Sequence, residues 1–124
     1  MDNIKRQVDE AIIEKTIEYL ESNGYSEIKA GLEGYEDPKS FIMKSTGDEI
    51  TPDIVATSAN GKVQYIEVGV KTENPVYLKT KWKFLKTLAQ MKNRGFRVIS
   101  HKGHYGFIDQ IVDDINLDKK AVRI

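Results

Sequence analysis

Apolar residues near the start of the chain recur with the period of an α-helix. Four of them share one face of a helical wheel: Ile12, Ile13, Ile17 and Leu20. Glutamates line an adjoining face: Glu10, Glu14, Glu18 and Glu21. The pattern predicts a helix over about residues 3–22. Asn23-Gly24 then ends it, because glycine tolerates the left-handed conformation that follows a helix.

Segments rich in strand-forming residues follow this helix. The predicted strands cover about residues 27–32, 40–44, 53–57 and 62–71. An Asn60-Gly61 pair separates the last two strands, and such a pair is typical of a tight hairpin in which both central turn residues have positive φ. The sequence therefore predicts that segments 53–57 and 62–71 pair side by side.

A second amphipathic pattern predicts a helix from about Tyr77 to Asn93, closed by Arg94-Gly95. Its apolar face comprises Leu78, Trp82, Phe84, Leu85, Leu88, Ala89 and Met91. Its polar face carries Lys79, Lys83, Lys86 and Gln90. Lys81 falls on the apolar side near the start of the helix, from where a lysine can extend its ammonium group to water.

The rest of the chain predicts a buried strand over 96–100, a loop over 101–106, a helix over about 107–115 and a final strand over 121–124. No repeat or linker interrupts the sequence, so we expect one domain spanning residues 1–124. The order of elements predicts an α/β fold in which helices flank a mixed central sheet.

Composition favours a cytoplasmic protein without a membrane segment. No stretch approaches the roughly 20 apolar residues that span a bilayer, and residues 1–5 lack the pattern of a secretory signal. The chain contains no cysteine, which excludes disulfides and thiolate metal sites.

The net charge of zero conceals an uneven distribution of charge along the chain. Residues 1–70 carry 14 acidic and 7 basic side chains, residues 71–104 carry 1 acidic and 9 basic, and residues 105–124 carry 4 acidic and 3 basic. A basic segment within a neutral protein suits a polyanion or an acidic partner. Alternatively, the acidic half of the chain packs beside this segment and neutralises it.

Three residues of the predicted hairpin suggest metal chemistry. Asp53 begins one arm, while Glu67 and Lys71 lie on the other arm and share a sheet face by strand alternation. Two carboxylates brought side by side offer the hard oxygen ligands that Mg²⁺ prefers. Such an ion activates a water molecule for phosphodiester hydrolysis, and a nearby lysine adds charge stabilisation.

These motifs resemble those of the PD-(D/E)XK nuclease superfamily, most of all the archaeal Holliday-junction resolvases and related small nucleases. Pro52-Asp53 is followed, after thirteen residues, by Glu67, and a helix bearing a glutamate precedes Gly24-Tyr25. The resemblance covers about residues 10–101. It implies a restriction-endonuclease-like three-layer fold with an α-β-β-β-α-β core, Mg²⁺ or Mn²⁺ bound by Asp53 and Glu67, and a possible homodimer.

The resemblance also implies catalytic roles for Glu14, Asp53, Glu67 and Lys71 in a metal-dependent endonuclease that hydrolyses DNA. The family has lysine two residues after the glutamate, where this chain has Gly69. Lys71 lies on the same face, roughly 6–7 Å further along the strand. One alternative is a catalytically silent nuclease fold that binds nucleic acid or a protein partner. Another is an unrelated α/β protein that recognises an acidic partner.

Each candidate residue also has a purely structural interpretation. Asp53 suits a turn, Glu14 suits a solvated helix face, and Glu67 suits a structural salt bridge, for which Lys71 is a candidate partner. The candidates for contact with DNA phosphates are Lys79, Lys83, Lys86, Arg94 and Lys102. For the lysines along the helix, a solubilising surface is the alternative.

Overall fold

The computed structural model describes residues 8–124. Its helices are α1 (Glu10–Ser22), α2 (Pro75–Met91) and α3 (Tyr105–Asp114). Its strands are β1 (Ser26–Ala30), β2 (Phe41–Ile42), β3 (Glu49–Ile50), β4 (Ile54–Thr57), β5 (Val63–Gly69), β6 (Gly95–Ser100) and β7 (Val122–Arg123). The sequence predicts that the first helix begins near residue 3, and the part of that prediction before residue 8 lies outside the described range.

Five strands form one mixed sheet in the order β1-β4-β5-β6-β7. β4 pairs antiparallel with β1 and β5, whereas β6 pairs parallel with β5 and β7. A crossover is needed between the parallel strands β5 and β6, and α2 provides it. β2 and β3 form a separate antiparallel ribbon, of which the sequence predicted only the first strand. The prediction of an α/β fold with a mixed sheet flanked by helices is confirmed.

The β4–β5 hairpin forms as predicted, but its turn is of a different kind. Ser58 N donates to Lys62 O at 2.9 Å and Gly61 N donates to Ser58 O at 2.9 Å, so the loop has three residues. Within this loop only Gly61 has positive φ, at 85°. The prediction required positive φ at Asn60 as well. A turn closed by a left-handed glycine is the common form of a three-residue hairpin loop.

The two faces of the sheet bury different clusters of apolar residues. α1 covers one face, where its side chains pack against Ile66 and Val68 of β5. α2 and α3 cover the other face, where Trp82 packs with Val98 and with apolar residues of α3. Because side chains alternate along a strand, Glu67 lies on the face that α2 covers.

All three helices end with a left-handed residue after the last turn. Gly24 takes this conformation after α1, as predicted, with φ of 83°. Asn93 and Asn116 take it after α2 and α3, with φ of 54° and 53°. The prediction that Arg94-Gly95 closes α2 is therefore wrong. Asparagine also tolerates the left-handed conformation, which leaves Gly95 free to begin β6.

The ends of the other elements coincide with the predictions or differ from them by one or two residues, as hydrophobic periodicity alone would lead one to expect. Between residues 8 and 124, none of the helices has the length and apolar character that crossing a membrane requires.

Candidate functional site

Asp53, Glu67 and Lys81 meet beneath helix α2. The hairpin register pairs Ile54 with Ile66, and this places Asp53, just before β4, beside Glu67. Lys81 reaches both acids from α2: its Nζ lies 2.9 Å from Asp53 Oδ1 and 2.9 Å from Glu67 Oε1. The side chains of Asp53, Glu67 and Lys81 are 7%, 0% and 1% exposed. The structure thus brings the two acids together, as the hairpin predicted, and adds a lysine.

All four carboxylate oxygens of this Asp53–Glu67–Lys81 cluster accept hydrogen bonds. Besides the Lys81 contacts, Val68 N donates to Asp53 Oδ2 at 2.9 Å, and Asp53 N donates to Glu67 Oε2 at 2.6 Å. Trp82 Nε1 donates to Glu67 Oε1 at 2.9 Å. Backbone and indole donors therefore fix the orientation of both carboxylates, which is the condition for burying charged groups without a large penalty.

The charges of the two acids control the protonation of Lys81. Burial alone would lower the pKa of its ammonium group, but the negative charges of Asp53 and Glu67 and their hydrogen bonds outweigh burial and raise the pKa. Lys81 therefore carries its positive charge at every physiological pH. In water-poor surroundings such a charge acts more strongly on neighbouring groups than it would at the surface.

The prediction that the Lys81 ammonium reaches water is wrong. A lysine on the apolar face of a helix can either extend past the edge of the core or find a buried counter-charge, and Lys81 does the latter. The sequence contained a signal for this outcome. Glu67 lies in an apolar strand and needs a partner, and Lys81 is the one cation on the face of α2 that packs against that strand.

Lys71, the lysine that the sequence favoured for the site, lies elsewhere. It follows the end of β5, its side chain is exposed, and its backbone N donates to His104 Nδ1 at 2.9 Å. Gly69 occupies the position where the resembling family has lysine. A Cβ atom there would lie 3.0 Å from Ile99 O and 3.0 Å from Ser100 Cα, so backbone atoms of β6 oppose any side chain at residue 69.

Glu14 is not brought to the cluster. Its side chain is exposed on α1, which covers the sheet face opposite to the one that carries Glu67. This placement agrees with the structural interpretation of Glu14 as part of a solvated helix face.

The predicted phosphate-binding cations are divided between different environments. Lys79 and Lys86 form ion pairs of 2.8 Å with Asp114 and Asp118, which link α2 to α3 and to the turn after it. These lysines lower the pKa of both aspartates by donating hydrogen bonds to them. The side chains of Lys83 and Lys102 are exposed.

Arg94 contacts an aromatic residue of the sheet. Its guanidinium donates to the Tyr65 hydroxyl at 3.0 Å and lies 5.6 Å from the centroid of that ring. The tyrosine is buried and holds Arg94 at the end of the sheet where β6 begins.

An open cleft of about 840 Å³ reaches the cluster at Asp53 and Pro52. The other charged residues of the described chain that line it are all acidic: Glu10, Glu33, Asp37 and Glu49. Two buried carboxylates side by side, of which Asp53 borders the cleft, are a donor set that fits Mg²⁺ or Mn²⁺. No group of three or more potential ligand side chains is present among residues 8–124. Water or phosphate oxygens would therefore complete the coordination of such an ion.

Searches of family models, curated proteins and solved structures returned no match to this chain. The assignment of a function therefore depends on the chemistry of the site.

Proposed function

We propose that this chain is a restriction-endonuclease-like, metal-dependent nuclease that hydrolyses phosphodiester bonds of DNA. The observation that supports this most is the position of the Lys81 ammonium, 2.9 Å from a carboxylate oxygen of Asp53 and of Glu67. Two acids can hold a divalent ion that activates a water molecule, and a lysine beside them can stabilise the negative charge that develops on the phosphate. In this proposal Asp53 and Glu67 hold Mg²⁺ or Mn²⁺, and Lys81 replaces the lysine that Gly69 cannot supply.

The roles of the residues follow from their contacts. When bound, the metal ion would supply an activated water and stabilise the leaving oxygen. Backbone N–H groups of Asp53 and Val68 hold the carboxylates in fixed orientations, which reduces the reorganisation needed on binding. Lys81 stays protonated because its pKa is raised, so it supplies positive charge for a phosphate oxygen.

The proposal requires Lys81 to move when a metal ion binds. Its ammonium lies between Asp53 Oδ1 and Glu67 Oε1, and these two acids are the residues that would hold a divalent ion. A lysine side chain has four rotatable bonds and can swing its ammonium towards the Asp53 end of the cluster, where the cleft opens. Metal ion and ammonium would therefore compete for the same two carboxylates.

The test is the cleavage of supercoiled plasmid and of branched DNA in Mg²⁺ or Mn²⁺ by purified protein. We expect nicking that Asp53→Asn, Glu67→Gln and Lys81→Met each reduce by about 10²-fold or more, the usual scale for losing one catalytic charge. Lys83→Met, on the exposed face of the same helix, is the matched control and should cut at the rate of the unmodified protein. Circular dichroism at the assay temperature establishes that each variant is folded.

A catalytically silent nuclease fold that binds nucleic acid is the second candidate. It is favoured by the saturation of the cluster, since all four carboxylate oxygens already accept N–H hydrogen bonds and almost no side-chain surface is exposed. In that case the cluster is a structural ion triad that fixes α2 on the sheet. The unmodified protein would then bind DNA but show no more cleavage than Asp53→Asn.

A further inference from the structure

Six cations gather at the end of the sheet where the β4–β5 hairpin turns. They come from three separate segments of the chain: Lys62, Lys92, Arg94, Arg97, Lys119 and Lys120. A seventh cation, Lys86, lines the same surface but is ion-paired with Asp118. They line two depressions of about 220 Å³ and 490 Å³, which share Lys62 and Arg94 and so form one continuous surface. We refer to it as the hairpin-end surface.

The hairpin-end surface is almost free of negative charge. Among the described residues, Asp118 is the one carboxylate that lines either depression, and it is ion-paired with Lys86 at 2.8 Å. Within residues 8–124, Lys62, Lys119 and Lys120 make no ion pair, and their side chains are exposed. Such a group of like charges is unfavourable in isolation and becomes favourable when a polyanion neutralises it.

The opposite end of the sheet has the reverse charge. The part of the chain that the structure describes lines the cleft at Asp53 with five carboxylates and no cation. In the β5–β6 register, Gln64 pairs with Gly95 at the hairpin end, and Glu67 lies three residues further along, about 10 Å at the usual strand rise. A polyanion approaching the molecule is therefore attracted to the hairpin end and repelled from the outer part of the cleft.

We infer that the hairpin-end surface binds the phosphate backbone of nucleic acid. The partner carries several anions in a row, because the cations extend over two adjoining depressions and a single small anion contacts only a few of them. Nucleic acid has one phosphate per about 3.4 Å of each strand, and neutralising its phosphates releases counterions, which drives binding. This inference goes beyond the proposed function, since binding here does not depend on whether the Asp53–Glu67–Lys81 cluster cuts DNA.

Two of the residues that the sequence proposed for DNA contact line this surface, Arg94 and Lys86. Arg94 makes no ion pair to a described residue. Lys86 is bound to Asp118. The helical-wheel pattern of α2 could not identify the other members, because they come from turns, from β6 and from the loop before β7 and meet only in the folded chain.

The test compares two triple variants with the same loss of charge. One removes Lys62, Lys119 and Lys120 from the surface by substitution with glutamine. The control replaces three exposed lysines that line neither depression: Lys15, Lys29 and Lys44. Binding to fluorescent duplex and single-stranded DNA of about 20 nucleotides is measured by anisotropy over a series of salt concentrations. EDTA is present, so that cleavage plays no part.

For the hairpin-end variant we expect affinity to fall roughly tenfold or more. The salt dependence of log K should weaken by about 0.9 for each duplex phosphate that the variant no longer neutralises. The control should bind as the unmodified protein does. An equal reduction of affinity in both variants would mean that only net charge matters and would overturn the inference, as would an unmodified protein that does not bind DNA. Equal competition by poly-glutamate of the same charge would also overturn it, in favour of an acidic protein partner.

These outcomes are separable from those of the nuclease proposal. Asp53→Asn should keep the affinity of the unmodified protein for DNA, because Asp53 lies outside the hairpin-end surface. A protein that binds at this surface but never cuts would support the inference while contradicting the proposed hydrolysis.

Discussion

Lys81 Nζ lies 2.9 Å from Glu67 Oε1, and both side chains are almost completely excluded from solvent. The two residues lie on elements that pack face to face, the helix α2 and the central strand β5. A buried charge is tolerated only when a partner is held close to it. The packing of α2 on β5 and the chemistry of the candidate site therefore both depend on this pair.

Removing the ammonium should destabilise the protein strongly. Lys81→Met keeps much of the side-chain volume but leaves two carboxylates in the interior without their shared cation. We expect the free energy of unfolding to fall by about 3–5 kcal/mol, the usual cost of removing one partner from a buried ion pair. Urea denaturation without divalent ions measures the change. Lys83→Met, on the exposed side of the same helix, should alter stability by less than about 0.5 kcal/mol, and an equally small effect of Lys81→Met would contradict the buried ion triad.

The same substitution should strengthen the binding of a divalent ion. In the unmodified protein the ammonium is bound to both of the carboxylates that would hold the ion. Without this competitor, Lys81→Met should bind Mn²⁺ about tenfold more tightly or better, even though it loses cleavage activity. Isothermal titration calorimetry measures the affinity. Glu67→Gln is the comparison, because it removes one of the carboxylates that would hold the ion. It should bind Mn²⁺ more weakly than the unmodified protein does. If both variants bound Mn²⁺ as the unmodified protein does, the ion would not be held at this cluster.

A side chain at residue 69 should be poorly tolerated. The Cβ atom of Gly69→Ala would lie 3.0 Å from backbone atoms of Ile99 and Ser100, so β5 and β6 would have to move apart. We expect a loss of about 1–3 kcal/mol, as for other overpacked interiors. Gly31→Ala is the control, since nothing lies within 4 Å of its added Cβ. Thermal unfolding compares the two variants. If Gly69→Ala were as stable as the unmodified protein, β5 and β6 would be able to move apart at little cost.

His101 should make stability depend on pH in the mildly acidic range. Its Nε2 lies 2.7 Å from Thr16 Oγ1, whose own hydrogen is donated to Ile12 O, so the histidine donates while neutral. Burial, with smaller contributions from Lys15 and His104, lowers its pKa below 6.5. Because the folded state favours the neutral histidine, the fold is most stable above pH 6.5, where His101 is neutral in both states. This stability is lost as the pH falls from 6.5 through the lower pKa of the folded state.

Urea denaturation between about pH 7.5 and pH 5.5 tests this linkage. The unmodified protein should lose stability over that interval, and His101→Gln should lose less of it because glutamine does not titrate. His104→Gln is the comparison, since the side chain of His104 is less buried. A His101→Gln variant whose stability falls as steeply with pH as that of the unmodified protein would exclude His101 as the cause.

Much of the fold follows from local patterns in the sequence. Helical periodicity located α1 and α2, and the Asn60-Gly61 turn located the hairpin that places Asp53 beside Glu67. The ribbon strand Glu49–Ile50 was missed, because two residues are too few to show alternation. The end of α2 was misplaced by a residue or two, because asparagine and glycine compete for the left-handed position after a helix.

The lysine that contacts the two acids differs from the one that the sequence favoured, for a physical reason. Lys71 follows Glu67 in sequence at a suitable spacing along an ideal strand, but β5 ends at Gly69 and the Lys71 side chain is exposed. Lys81 lies far from Glu67 in sequence, and only the packing of α2 on the sheet brings it within reach. Local spacing identifies which residues share a strand face, whereas contacts between a helix and a strand depend on how the two elements dock.

The most direct test of the Asp53–Glu67–Lys81 site is anomalous diffraction from a crystal soaked in Mn²⁺. We expect a peak within about 2.2 Å of one oxygen of Asp53 and one of Glu67, with the Lys81 ammonium displaced towards the cleft. A map with no peak between these acids, and with the Lys81 ammonium still bridging them in saturating Mn²⁺, would contradict the metal-dependent mechanism.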